Sequence, residues 1–237
     1  MSGHRFRYAQ PEQAAQACAR HIRARLEEAL AGAPAASLAV SGGSSPKLMF
    51  AHLTDEPFPW DRVLLFWADE RCVPPGDPHS NFTMAEAHLI RPAGIPQRNV
   101  HRIRGEIRPG DASERYAAEI RDALGTPPRF DVIHLGMGPD GHTASLFPGE
   151  AMIEDSDGVA AAVYVEKFSQ WRVTLLPAVL LGARHTVFFA TGADKAVMLR
   201  KVLDDRYEPI KYPAQLIAHH GRGVAWFLDD AAAALLE

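Results

Sequence analysis

Short apolar runs alternate with amphipathic stretches along this chain. Residues 130–135 (FDVIHL) form a run of the length and character of a fully buried strand. Residues 36–40, 63–67, 160–165, 186–191 and 224–228 repeat that signature, and 6–8 and 100–103 are shorter strand candidates, the first at an edge. Between them lie helix patterns. In residues 11–30, Cys18, Ile22, Leu26 and Leu30 recur every four positions on one face, Pro11 suits the first turn, and Gly32 and Pro34 stop it. Further helices are expected over 46–53, near 81–89, over 111–124 with Asp111 as cap, shortly after Pro177, over 194–203, and in an alanine-rich stretch capped by Asp229. Residues 73–79 and 151–158 read as loops, as do His219 and His220, and a new element begins at 172–176. Strand and helix alternate throughout, which argues for an α/β fold with a mostly parallel sheet covered by helices on both faces. No linker, low-complexity tract or repeat divides residues 1–237, so a single domain is expected.

Composition narrows the function classes. Of 237 residues, 47% are hydrophobic and 23% charged, as in ordinary globular proteins. A net charge of −4 offers no general attraction to nucleic acid or membrane, so an anion site must be locally basic. The two cysteines, Cys18 and Cys72, show no disulfide or zinc spacing and fit a reducing compartment. The first residues (MSGHRFRYAQ) lack an apolar signal core, and no run reaches membrane-spanning length, so a cytoplasmic location is expected.

Four motifs could carry chemistry. The stretch that organises the rest is 130–149, FDVIHLGMGPDGHTASLFPG, where a buried strand delivers Asp140 and His142 to a glycine-rich loop at its carboxyl end. Imidazoles titrate near neutrality and can take a proton from water, and Asp140 can orient the ring and stabilise its cation. No G-x-S-x-G elbow is present, so water is the expected nucleophile. Gly136, Gly138 and Gly141 match G-x-G-x-x-G, but no second strand ending in an acid follows, which argues against a dinucleotide cofactor. The second motif, SGGSSPK from Ser41 to Lys47, lies between a strand and a helix. Its glycine N–H groups and helix terminus suit a phosphate, with Ser45 as cap and Pro46 in the first helical position, although an ordinary turn would use the same residues. The third, Trp67 to Arg71, sets Asp69 and Arg71 on one side of a strand end and Glu70 on the other, fit for sugar hydroxyls, a carbonyl or a surface ion pair. The fourth is the late basic pair Arg172 and Lys195, either of which could neutralise a phosphate or simply be solvated. No third ligand accompanies Asp140 and His142, so no metal site is expected.

Together, SGGSSPKLMF, WADERCVP followed by PHSNF, FDVIHLGMGPDGHTASLFPG, RVTL, TGADKA and VAWFLDDAAAALL resemble the 6-phosphogluconolactonases, in that family's order and over nearly the whole chain. The resemblance implies a Rossmann-like α/β fold, no cofactor, and hydrolysis of 6-phospho-D-glucono-1,5-lactone. It implies that Gly42, Gly43 and Ser44 bind phosphate with help from Arg172 and Lys195, that Asp69, Arg71 and Asn81 line the sugar pocket, and that His142 is the general base. In such a hydrolysis the oxyanion would be stabilised by a cation such as Arg71 or by loop N–H groups. The partner is then a small sugar phosphate, with no nucleic acid or membrane, and the protein a monomer or weak homo-oligomer. The chain departs from the family pattern at Ser45 (usually Thr), Phe82 (commonly Tyr) and Gln170-Trp171 (often with Pro) before Arg172.

Two other readings share the scaffold. Glucosamine-6-phosphate deaminases carry Asp-Glu-Tyr where this chain has Asp69-Glu70-Arg71, and an acid within Ile-Ala-Phe-Asn-Glu-Pro where it has Thr143-Ala144-Ser145-Leu146-Phe147-Pro148. A sugar-phosphate-sensing regulator domain would need a helix-turn-helix, and the single N-terminal helix leaves no room for one.

Overall fold

The computed structural model describes residues 3–236. In chain order the elements are β1 (His4–Tyr8), α1 (Pro11–Gly32), β2 (Ala36–Val40), α2 (Ser44–Leu53), β3 (Val63–Trp67), β4 (Asp69–Arg71) and α3 (Asn81–Ala85). Helix α3 runs through a π-turn (Glu86–Ile90) into α4 (Arg91–Ala93). Then come α5 (Pro109–Leu124), β5 (Val132–Leu135), β6 (Ala160–Val165), β7 (Gln170–Leu175), α6 (Pro177–Gly182), β8 (His185–Ala190), α7 (Ala196–Leu203), α8 (Ala214–His220) and β9 (Ala225–Asp229).

Six strands form one all-parallel sheet in the order β1-β9-β8-β5-β2-β3. Every residue of β2, β5 and β9 is buried, which is why their sequences are almost unbroken apolar runs rather than alternating ones. Helix α1 lies against β8, β9 and α2, with Cys18, Ile22, Leu26 and Leu30 buried as their spacing implies. Because the strands are parallel, the loops after β2, β5 and β8 emerge at one rim. From β2 the chain goes outward to β3, then returns to place β5 on the opposite side. Ligand crevices form at such a reversal of strand order.

A second sheet, absent from the sequence-based expectation, has the order β4-β7-β6 and is antiparallel. Its register sets Asp69 opposite Thr174 and Arg71 opposite Arg172. The short β4 looks in sequence like the tail of β3. The backbone breaks at Ala68, whose N–H still donates to Val40 of the large sheet while its carbonyl accepts Leu175 N–H of the small one.

Several local expectations need correction. Residues 100–103 are not a strand: only Val100 bridges Leu65, at the sheet edge, before the chain leaves. Helix α2 starts at Ser44, so Ser45 is not its cap. Gly43 holds the N-cap position at φ +122°, and no side chain caps the helix. Helix α5 starts at Pro109, so Asp111 lies inside its first turn rather than capping it. His219 and His220 are helical, in the last turn of α8, whose Ala214, Ile217 and Ala218 are buried. After β9 the chain makes successive turns over residues 230–235 instead of the expected helix. Asp229 ends β9 and accepts the N–H groups of Gly192 and Ala232.

Candidate active site

The loops after β2, β5 and β8, together with β4 and β7, enclose a cavity of about 290 Å³. Gly42 and Gly43 line it at the start of α2, and Lys195 lines it from the segment after β8. Asp69, Arg71 and Arg172 enter from the small sheet, Asn81 from the start of α3, and His142 from the loop after β5. Eight of the residues singled out from sequence thus line one cavity. Asp140 stands behind His142, and the Ser44 side chain lies outside the described residues.

The loop after β5 is shaped to present the imidazole. Gly141 adopts φ +82°, a left-handed turn that glycine makes without steric cost. Gly138 N–H donates to the His142 carbonyl at 2.9 Å, and a Cβ on Gly138 would stand 2.0 Å from His142 Cε1. Glycine is therefore needed at 138 for the ring to lie where it does. Phe147 stacks on the ring, centroids 4.2 Å apart. On its other side, Nδ1 is 2.5 Å from Asp140 Oδ1, while Asp140 Oδ2 accepts Lys167 Nζ at 3.2 Å. Burial alone would raise the Asp140 carboxyl. The hydrogen bond and charge of His142, with Lys167, outweigh it and hold the group well below the usual carboxylate range. An ionised Asp140 makes Nδ1 the donor and leaves Nε2 as the ring nitrogen free to accept a proton.

The cationic wall is also built from behind. Glu70 points away from the cavity, as the strand alternation implies, and is buried beneath the following loop. Its Oε1 accepts the N–H groups of Arg71 and Asn81, both at 2.7 Å. Its Oε2 accepts Phe82 N–H at 2.7 Å and Ser80 Oγ at 3.0 Å. Burial, only partly offset by these donors, pushes its carboxyl up to about 6. One side chain thereby fixes the backbone that carries both Arg71 and Asn81. Asn81 approaches the β2 loop so closely that a Cβ on Gly42 would stand 1.8 Å from its Oδ1. Arg71 Nη1 donates to His79 O at 2.6 Å. Arg172 packs against the edge-to-face pair of Phe147 and Phe168, 5.4 and 5.0 Å from their centroids. Burial lowers its pKa, with Asp69 acting in the opposite direction. Lys195 Nζ is 3.2 Å from Asp194 Oδ2. Among the described residues, no group of three or more His, Cys, Asp or Glu side chains is arranged to hold a metal ion.

With this geometry in hand, comparison with known proteins is decisive. Residues 9–226 match the family model described as glucosamine-6-phosphate isomerases/6-phosphogluconolactonase. The chain belongs to this family. It is 36% identical over 203 residues to the 6-phosphogluconolactonase of Haemophilus influenzae, covering 84% of this chain and 87% of that one. The human 6-phosphogluconolactonase is 37% identical over 230 residues, covering 93% and 88%. The solved structure of the Trypanosoma brucei 6-phosphogluconolactonase superposes with a TM-score of 0.85 at 30% identity, covering 99% of both chains. The resemblance seen in the motifs and the α/β fold are both borne out.

Sequence reasoning missed Phe147, Lys167, the buried Glu70, and Ser145, whose Oγ donates to Asp69 Oδ2, as parts of the site. The alternation around Asp69-Glu70-Arg71 put Glu70 on the far side and gave no hint of the loop it would anchor. Phe147 lies in the conspicuous run after His142 but passes for core. Lys167 falls in no motif and is drawn in by the β6–β7 turn, where Ser169 takes a left-handed conformation, φ 48°.

Proposed function

We propose that this chain is a 6-phosphogluconolactonase, hydrolysing 6-phospho-D-glucono-1,5-lactone to 6-phospho-D-gluconate in the oxidative pentose phosphate pathway. The observation that carries the proposal is one cavity lined both by an imidazole hydrogen-bonded to Asp140 and by the glycine turn at the start of α2, with Lys195 in the same lining. The substrate phosphate docks on the N–H groups of the Gly42–Gly43 turn, at the positive end of α2, and is neutralised by Lys195 and Arg172. Asp69, Arg71 and Asn81 form the wall toward the sugar.

His142 Nε2 removes a proton from a water as its oxygen attacks C1 of the lactone. The carbonyl electrons move onto oxygen, and Arg71 stabilises the oxyanion. As the tetrahedral intermediate collapses, the bond from C1 to the ring oxygen breaks. That oxygen takes the proton from His142 and leaves as a hydroxyl, while Asp140 holds the imidazolium through the cycle. No step calls for a cofactor. Among the described residues no helix is long and apolar enough to cross a membrane, and action in the cytoplasm is part of the proposal.

The test couples phosphogluconate formation from fresh lactone to its dehydrogenase, with and without the protein, against the spontaneous background. Acceleration is expected, and His142→Ala is expected to lose on the order of 10²–10⁴-fold in kcat. A folded His142→Ala protein with near-normal turnover would overturn the base assignment. Ammonia release from glucosamine 6-phosphate would replace the lactonase reading with a deaminase, and sugar-phosphate binding without hydrolysis would favour a sensor.

A further inference from the structure

Asp69 and Arg172 are both buried and of opposite charge, yet they do not form a close pair. Their nearest approach is a single contact of 3.8 Å between Oδ2 and Nη1, and Arg172 Nε has no hydrogen-bond partner among the described residues. Guanidinium and carboxylate groups in close pairs frequently meet in two parallel hydrogen bonds of about 2.7–2.9 Å. Something holds these two apart.

That restraint is Ser145. Its Oγ is fully buried and donates to Asp69 Oδ2 at 2.6 Å, while Asn81 Nδ2 approaches Oδ1 at 3.4 Å. Ser145 is itself fixed, its N–H donating to Thr174 Oγ1 at 3.1 Å, on the residue opposite Asp69 across the small sheet. The preceding Ala144 sits at φ 49°, a region that residues with a side chain rarely occupy and that aims Ser145 inward. Arg172 meanwhile packs its guanidinium beside the Phe147–Phe168 ring pair, 5.4 and 5.0 Å from the two centroids. We infer that Ser145 is a positioning residue that holds the Asp69 carboxylate back from Arg172, keeping the guanidinium available for a phosphate-bearing ligand. The inference rests on the anion site proposed above and gives Asp69 a part beyond lining the sugar wall. Without the serine donor, Asp69 would turn to Arg172 and compete with the ligand.

Calorimetric titration of the full chain with inorganic phosphate tests this, with near-ultraviolet circular dichroism to confirm folding. Ser145→Ala is expected to weaken phosphate binding about 3- to 10-fold, because a closed Asp69–Arg172 pair must be broken by the anion. Asp69→Asn removes the competitor and is expected to bind phosphate as tightly as the unaltered protein or more tightly. Adding Ser145→Ala to Asp69→Asn should then change little. If Ser145→Ala does not fold, Ser145→Cys, similar in size and a weaker donor, carries the test with an intermediate loss. Unchanged binding in the serine variants, or an equal loss in the Asp69→Asn background, would overturn the inference alone. No phosphate binding by the unaltered protein would overturn the anion site and the inference together. The expected pattern in a protein that fails to accelerate lactone hydrolysis would uphold the role of Ser145 and sink the lactonase reading.

Discussion

Glu70→Gln tests whether a single buried carboxylate organises the cationic wall. The side chain is 2% exposed and accepts four donors, two on each oxygen. Glutamine keeps one acceptor oxygen. With that oxygen in the place of Oε1, the Arg71 and Asn81 N–H groups stay served, and the new amide faces Phe82 N–H and Ser80 Oγ. The serine hydroxyl can rotate to accept, but the backbone N–H cannot. A stranded buried donor costs about 1–3 kcal/mol, and the remaining bonds lose their charge assistance, about 1–2 kcal/mol more. Against this, glutamine avoids burying a charge. The carboxyl stands at about 6 against an ordinary 4.5, which corresponds to about 2 kcal/mol at neutral pH. The net expectation is a loss of about 0–3 kcal/mol, centred at about 1.5 kcal/mol, or about 3–6 °C in Tm at that centre for a chain of this size. Because the folded-state pKa is raised, the contribution of Glu70 is fully present below about 4.5 and is lost as pH rises through about 6. Glutamine does not titrate, so the gap in Tm between the two proteins should be wider at pH 5 than at pH 7.5. Calorimetric melts at the two pH values measure this. A higher Tm for Glu70→Gln at neutral pH, or a gap that narrows toward pH 5, would refute the account.

Asp140→Asn is expected to lower kcat more than it raises KM in the coupled assay: the charge that steadies the imidazolium is gone, and with the amide oxygen facing Lys167 its NH2 group meets Nδ1 and favours the wrong tautomer. The depressed Asp140 carboxyl contributes stability above the ordinary carboxylate pKa and loses it as pH falls, so the Tm advantage of the unaltered protein over Asp140→Asn should shrink in acid. Gly138→Ala forces the ring aside and is expected to cost roughly 10²-fold in kcat with the fold intact by circular dichroism, the penalty of about an ångström of misplacement. Lys195→Ala should raise KM about tenfold with a smaller effect on kcat, and weaken inhibition by inorganic phosphate in parallel.

The large sheet was legible because its inner strands are buried on both faces, which writes itself as runs such as ASLAV and FDVIHL. The glycine loops were legible because few residue types fit them. Gly42, under Asn81, and Gly138, under His142, are sites where any side chain would collide. The small antiparallel sheet was not legible. Strand β4 is three residues long, and its partner β7 comes about a hundred residues later, so no local pattern reports the pairing. Ser145 and Glu70 escaped for a related reason. Each acts by touching a residue of another element, and alternation shows which way a side chain points but not what meets it there. The helix-start errors at Ser45 and Asp111 came from weighing side-chain caps where a left-handed Gly43 and an N-terminal Pro109 set the first turn.

The register of the small sheet has a practical outcome at the bench. Pairing Arg71 with Arg172 across β4 and β7 sets two guanidinium groups side by side, an arrangement that works against the empty protein. A doubly charged oxyanion relieves it, and whatever binds the native form alone raises its melting point. Samples kept in phosphate or sulfate should therefore resist heating better than samples in Tris chloride at matched ionic strength, and the choice of buffer will shift any Tm recorded for this chain.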